Sequence, residues 1–376
     1  MPPASPSRRD VSRAEAGRSP RAPEATPAPG TRLTTPEERE LDAALRPRRF
    51  EEFVGQPRVV SELSVYLAAA RQRGDALDHV LLSGPPGLGK TPLAHLIAHA
   101  LETPIDVTSG PILERPADLA GHLTNLPARG VLFIDEIHRI PRDVQEYLYT
   151  AMEDFFINII VDQGACPRTL KLDLPRFTLV GATTSEGKLS EALRGRFGIR
   201  CRLDHYPPEE IARIIARSAG LLGVAIDDAA VAAVAGRARG TPRIANRYLR
   251  RIRDLAQVTS ANRITPVVAE RGLAMLGVDA AGLEEMDRRL LQVLIRNAGG
   301  PVGLKTLAVA LGEEEETLEE VYEPFLIQRG FLQKTARGRC ATAHAYRHLG
   351  ATPPAAPAAA GDLFGAPAAA TEQPPG

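Results

Sequence analysis

Gly84-Pro85-Pro86-Gly87-Leu88-Gly89-Lys90-Thr91 is the stretch on which the fold turns. It fits the pattern G-x-x-x-x-G-K-[S/T], and its surroundings are what that pattern requires. Just upstream, His79-Val80-Leu81-Leu82-Ser83 is a short apolar run that reads as a buried strand, and downstream residues 91–101 have helical periodicity. A strand that turns through glycines into a helix start offers backbone N–H groups and the positive end of the helix dipole to phosphate. Gly87 and Gly89 let the backbone wrap the phosphates, Lys90 is expected to reach the β- and γ-phosphates, and the Thr91 hydroxyl to take a place on magnesium. The expected ligands are therefore ATP and Mg2+.

Further along, Val131-Leu132-Phe133-Ile134 is a second buried strand, and Asp135 and Glu136 project from its C-terminal end, where open α/β sheets place their ligands. Asp135 is expected to hold Mg2+ through its water shell and Glu136 to polarise the attacking water as general base. A third strand, residues 177–181, is followed by Thr183 and Thr184, and Thr184 is favoured as the hydroxyl between those carboxylates and the γ-phosphate. In Leu193-Arg194-Gly195-Arg196-Phe197-Gly198, Arg196 is preferred to Arg194 as the guanidinium that stabilises a transferring phosphoryl group, supplied by a neighbouring subunit. In Arg239-Gly240-Thr241-Pro242-Arg243 a turn feeds a helix with proline near its first position, which suits Arg243 to fold a lid onto ATP. Arg243, Arg247, Arg250 and Arg251 share one helix face, either a solvated basic face or a stripe toward a subunit or DNA.

Strands alternating with helices predict an α/β class fold with a parallel sheet covered on both faces. Residues 157–174 interrupt it with two β-rich halves, 157–161 and 169–174, around Asp162-Gln163-Gly164-Ala165, an inserted hairpin. From Pro207 the sequence is Ala-, Leu- and Arg-rich and helical, with no strand expected until about residue 330. Helices over 286–296, 306–311 and 317–326 and a strand, basic turn and strand over 330–342 spell a winged-helix module. The expected division is a P-loop domain at 43–206, a small helical lid at 207–278 and a winged-helix domain at 279–350. Segments 1–42 and 351–376 are rich in Pro and Ala and predicted to be disordered. Leu363-Phe364 in the second is a docking-peptide candidate or a chance apolar pair.

A chain of 376 residues exceeds what one core usually serves. Lys and Arg (46) balance Asp and Glu (46), so a nucleic-acid partner would have to be met by local basic patches. Cys166, Cys201 and Cys340 are too scattered for a disulfide framework or a zinc site. The absence of Trp argues against an aromatic-lined ligand cage. No apolar stretch approaches the roughly 18 residues of a membrane span, so the expectation is a cytoplasmic protein with no membrane partner.

The segments L-R-P-R-R-F-E-E-F-V-G-Q from Leu45, V-T-S-G-P, V-L-F-I-D-E-I-H-R, A-M-E-D-F, F-T-L-V-G-A-T-T, R-G-T-P-R-I-A-N-R and G-F-L-Q-K-T-A-R-G-R complete the pattern. Together they resemble the RuvB family of Holliday-junction branch-migration ATPases, of the AAA+ class, over about residues 43–350. The A-M-E-D-F and R-G-T-P-R-I-A-N-R segments separate this family from clamp loaders, which would also lack the winged helix. The resemblance implies a homo-hexameric ring on duplex DNA, loaded by RuvA at Holliday junctions and working with the RuvC nuclease in recombination and repair. It also implies roles: Leu45 and Arg46 at the adenine side, Glu153, Asp154 and Phe155 on the neighbouring-subunit face, Tyr206 at the base, Thr184 and Arg243 as the two sensors. The hairpin would grip RuvA, with Ile157, Ile159 and Ile160 apolar. Lys334, Arg337 and Arg339 would meet DNA phosphates, which position the protein without reading sequence. Three positions depart from the pattern. Pro92 has no N–H for the α-phosphate, Glu186 stands where an arginine is expected, and Gly195 replaces the usual aspartate and loosens the segment presenting Arg196. These departures support an alternative, a RuvB-like paralogue that binds nucleotide and DNA but hydrolyses weakly.

Overall fold

The computed structural model describes residues 44–160, 169–297 and 300–353. Residues 1–45 and 46–376 are separate units, and the described part of the first is Ala44 and Leu45, with Leu45 buried. The expected N-terminal extension, the hairpin turn at 162–165, Cys166, and Leu363 and Phe364 lie outside the described residues.

In the second unit, α1 (Pro57–Arg73) leads to β1 (Val80–Ser83) and α2 (Lys90–Ala100), then β2 (Ile105–Ser109), α3 (Pro116–Thr124), β3 (Val131–Asp135) and α4 (Arg142–Asp154). The antiparallel hairpin β4 (Phe156–Ile160) and β5 (Thr169–Asp173) follows, then β6 (Thr178–Thr183), α5 (Glu191–Gly195) and β7 (Ile199–Arg202). Five strands form one parallel sheet in the order β2-β3-β6-β1-β7. The inner strands β1, β3 and β6 are buried almost throughout, as strands covered on both faces must be. Val80 and Leu82 pack with Leu63, Leu93 and Ile97 on one face of the sheet. Leu81 packs with Leu119, Val144 and Leu148 on the other, the period of two that a strand imposes.

Strands β2 and β7 are absent from the sequence reading because both are edges. Ile199-Arg200-Cys201-Arg202 alternates buried and exposed, so it makes no continuous apolar run. On the hairpin, Ile157 is buried in the core, at 1% exposure, and is not part of a partner-facing surface, whereas Leu170 is half exposed.

The helical lid consists of α6 (Pro208–Leu221), α7 (Asp228–Arg237), α8 (Pro242–Thr259) and α9 (Pro266–Met275), three of which open on proline, where the missing N–H loses nothing. It is not free of strands as expected: β8 (Ala225–Ile226) and β9 (Arg263–Ile264) pair in parallel. Two residues each are too few to leave a periodic trace.

The winged helix has α10 (Glu285–Arg296), α11 (Leu304–Leu311), β10 (Leu332–Thr335), β11 (Gly338–Ala341) and α14 (Ala343–His348) around Leu290, Leu294, Leu307, Leu326 and Phe331. The helix expected over 317–326 starts earlier and is not uniform. It runs as α12 (Glu315–Thr317), a π-helical turn (Leu318–Tyr322) and α13 (Glu323–Gln328). Pro324 has no N–H for an ordinary helical bond, and the Glu323 N–H beside it reaches back five residues to Leu318 O. Arg239 of the lid, with its side chain 8% exposed, donates to Asp287 Oδ2 at 2.5 Å and to Gly282 O at 3.0 Å, tying lid to winged helix, and Arg247 pairs with Glu284 beside it. Among the described residues no helix is long and apolar enough to cross a membrane.

Candidate active site

A parallel sheet gathers the C-terminal ends of β1, β3 and β6, and the glycine loop, the two carboxylates and the two threonines therefore meet at one end. The Gly84 N–H donates to Thr183 O at 3.2 Å, joining loop to β6. Gly84, Gly87 and Gly89 have φ of 136°, 80° and 105°, and a Cβ at Gly84 would stand 2.4 Å from Leu203 O. Only glycine fits there. Among the described residues the amides of Gly87, Leu88, Gly89, Lys90 and Thr91 meet no hydrogen-bond acceptor. Unclaimed donors at a helix start are what a phosphate group satisfies. Lys90 is 7% exposed and donates from Nζ to Gly84 O at 2.6 Å and Pro85 O at 2.9 Å. Burial pulls its pKa down, against the opposing pull of Glu136 and Asp135. The residues present fit a polyphosphate. Pro92 is the third residue of α2, and the Leu93 N–H still reaches Gly89 O at 3.0 Å, so the helix closes around the proline.

Burial, then the adjacent Glu136, pushes the Asp135 carboxyl above the usual carboxylate range, an environment that a cation would relieve. Glu136 has φ of 46°, a left-handed conformation that costs a non-glycine residue about 1–3 kcal/mol. Its Oε2 accepts from Thr184 Oγ1 at 3.0 Å and Thr184 N at 3.3 Å, with His138 Nδ1 at 3.3 Å. Thr183 is fully buried and its hydroxyl lies 3.0 Å from the same His138 Nδ1. Of the two threonines, Thr184 is the one in contact with the carboxylate. His138 is a member of the site that sequence reasoning missed; its signal was its place two residues after Glu136, on a turn leading off the acidic strand end.

The lid closes on this end of the sheet. Arg243 N donates to Gly87 O at 3.4 Å, and a Cβ on Gly87 would stand 2.9 Å from Thr241 Cγ2. The exposed Arg243 guanidinium is near enough to influence both Lys90 and Asp135. Tyr206, buried, donates its hydroxyl to Leu88 O at 3.0 Å, and burial raises that hydroxyl's pKa. Exposed Arg46 acts electrostatically on His95 of α2.

The structure does not bring Arg196, Glu153, Asp154 and Phe155 to this end. They lie where β7 and β4 begin, and β1 alone is four residues, about 13 Å, long. Arg196 donates to Ala192 O at 2.7 Å and to Glu153 Oε2 at 3.1 Å, with its guanidinium 4.5 Å from the Tyr149 ring. Phe155 packs edge-on to Phe177, centroids 6.0 Å apart, and Arg196, Phe155 and Phe177 line a cleft of about 470 Å3. Gly195 ends α5 in open space.

On the wing, Arg337 is exposed at the turn and Lys334 pairs with Glu319 at 2.8 Å. Arg339 does not meet solvent as expected. It is 7% exposed and binds Glu323 and Glu319, each at 2.6 Å, because the face of the hairpin it shares with Lys334 turns toward a helical segment bearing Glu315, Glu316, Glu319, Glu320 and Glu323. Its role is structural.

The glycine loop, acidic strand end and threonine on this strand order, with a helical lid and a winged helix, define a P-loop protein of the AAA+ class. Three family descriptions match in series: Holliday junction DNA helicase RuvB P-loop domain over residues 45–203, RuvB AAA lid domain over 206–279 and RuvB C-terminal winged helix domain over 280–350. The chain belongs to the RuvB family. It is 56% identical over 330 residues to the Holliday junction branch migration complex subunit RuvB of Myxococcus xanthus, covering 88% of this chain and 96% of that protein. The Thermotoga maritima RuvB Holliday junction branch migration motor is 50% identical with a TM-score of 0.75, over 83% of this chain and 100% of that one. A mutant of the Thermotoga protein is 51% identical with a TM-score of 0.75, over 82% and 98%.

Proposed function

We propose that this chain is the ATP-hydrolysing motor subunit that drives branch migration of Holliday junctions in homologous recombination and repair. It works in the cytoplasm as a homo-hexameric ring on duplex DNA, loaded by RuvA and acting alongside RuvC. The observation that carries this reading is the separation of one chemical site between opposite ends of the sheet. One end holds the phosphate loop and the carboxylates, the other holds Arg196, and two copies placed in line would complete the site.

Gly87, Gly89 and Lys90 bind the triphosphate, with Pro92 contributing packing but no donor. Thr91 and Asp135 would hold magnesium, which would supply charge neutralisation for the triphosphate. Glu136 takes the proton of the attacking water, and Thr184 orients that carboxylate before contacting the γ-phosphate. Arg243 and Tyr206 couple nucleotide to the lid, and Leu45 and Arg46 take the adenine side. Arg196, with Glu153, Asp154 and Phe155, serves the neighbouring subunit's nucleotide. Residues 43–206 carry the chemistry, 207–278 the lid, and 279–350 the DNA contacts of Lys334 and Arg337.

A synthetic four-way junction with RuvA, ATP and this protein should show strand exchange, abolished by Glu136→Gln. Hydrolysis without strand exchange would overturn the branch-migration reading. No hydrolysis at all would favour the weakly hydrolysing paralogue, against which the Thr184–Glu136 contact speaks.

A further inference from the structure

We propose that His138 is a positioning residue for hydrolysis, holding the Glu136 carboxylate through Nδ1 once Thr184 turns its hydroxyl to the nucleotide. This rests on the reading of Glu136 as general base. A threonine hydroxyl has one proton, and Thr184 Oγ1 gives it to Glu136 at 3.0 Å. When that proton goes to a phosphate oxygen, Glu136 Oε2 keeps the Thr184 N–H at 3.3 Å and the His138 ring, also at 3.3 Å. The imidazole is then the only side chain of the three contacts still directing the carboxylate.

The ring is built to stay in place. The His138 side chain is 8% exposed, on a tight turn, Ile137–Arg139, that leaves the end of β3. Ile137 locks that turn onto β6: a Cβ on Gly181 would stand 2.9 Å from Ile137 Cδ1. Nδ1 sits between Thr183 Oγ1, at 3.0 Å, and Glu136 Oε2. Thr183 Oγ1 accepts from the Ser185 N–H at 3.1 Å and has a second lone pair for the ring. Two oxygens, one of them anionic, favour the tautomer with the proton on Nδ1, since a bare lone pair there would face the carboxylate. The other charges around the ring are Arg139 on its own turn, Lys188 after β6, and Glu320 of the winged helix, which pairs with Lys188 at 2.9 Å.

The test is DNA-stimulated ATP turnover by the full chain carrying His138→Ala, His138→Asn or His138→Gln, with thermal midpoints alongside. An asparagine amide can stand where Nδ1–H stands, whereas a glutamine amide reaches toward Nε2. We expect His138→Ala to lower kcat by at least about tenfold with KM changed less than about twofold, and His138→Asn, not His138→Gln, to recover most of it. The inference is overturned if Asn and Gln behave alike, if kcat falls only in step with the thermal midpoint, or if KM rises at unchanged kcat. Wild-type turnover by Glu136→Gln would instead sink the general-base reading, whatever the histidine variants do.

Discussion

Replacing Arg196 with alanine tests whether the arginine serves its own chain or the next. Its stability loss should be small. The pair with Glu153 has side chains 22% and 56% exposed, and such a contact contributes about 0–1 kcal/mol. The Tyr149 ring beneath the guanidinium adds about 0.5–1 kcal/mol, so unfolding in urea should shift by at most ~2 kcal/mol. Turnover should fall far more, by about 10^3–10^5, the range for a guanidinium that stabilises phosphoryl transfer. The decisive assay mixes Arg196→Ala with Lys90→Ala, each inactive alone. Where a loop from the first meets an arginine from the second, the contact is complete, and random assembly makes about a quarter of the contacts so. Mixing should therefore restore roughly a quarter of the wild-type rate. A mixture as inactive as its parts, although it assembles, would refute a guanidinium supplied in trans.

Four other perturbations follow from the geometry. Arg239→Met should destabilise by about 3–5 kcal/mol near neutral pH, because it strands Asp287, which is fully buried. Burial already raises the Asp287 pKa above the ordinary carboxylate value; a raised group contributes its stability below the unfolded pKa and loses it as pH rises through the folded one. Losing Arg239 raises it further, so the penalty should shrink as pH falls and be largely recovered by adding Asp287→Leu; a loss that is flat with pH in urea titrations would contradict this. Arg337→Ala should weaken duplex binding and flatten its salt dependence by about one phosphate's worth. Arg339→Met should instead cost up to about 3–5 kcal/mol of folding stability, read by denaturant unfolding, because it leaves buried Glu323 with only Lys334, at 3.8 Å, to balance its charge. Gly195→Ala should stabilise by about 0.5–1 kcal/mol, since its side chain meets open space at the end of a helix, and a fall in urea midpoint would be the contrary result.

The sheet's interior was legible because β1, β3 and β6 are buried on both faces and leave unbroken apolar runs, while β7 was hidden by the alternation of an edge and β2 by an edge that is mostly half-buried and makes no continuous apolar run. The glycine loop could be read residue by residue, since each glycine answers a backbone need that no other residue meets. Arg339 misled because charge alone does not say which face of a hairpin is solvated. Only the glutamates opposite it, some twenty positions back, decide that. His138 went unseen for a similar reason: its partners Thr183 and Glu136 come from different strand ends.

If Arg196 completes the site of the next copy, the surface gives at one end what it takes at the other and so has direction. Copies joined this way stack head to tail, and the contact cannot be its own mirror partner, so a twofold pair cannot satisfy both members. An open row always leaves one loop without its arginine and one arginine without a loop. Only closure into a circle uses every half, and the angle between neighbours decides between circle and endless filament.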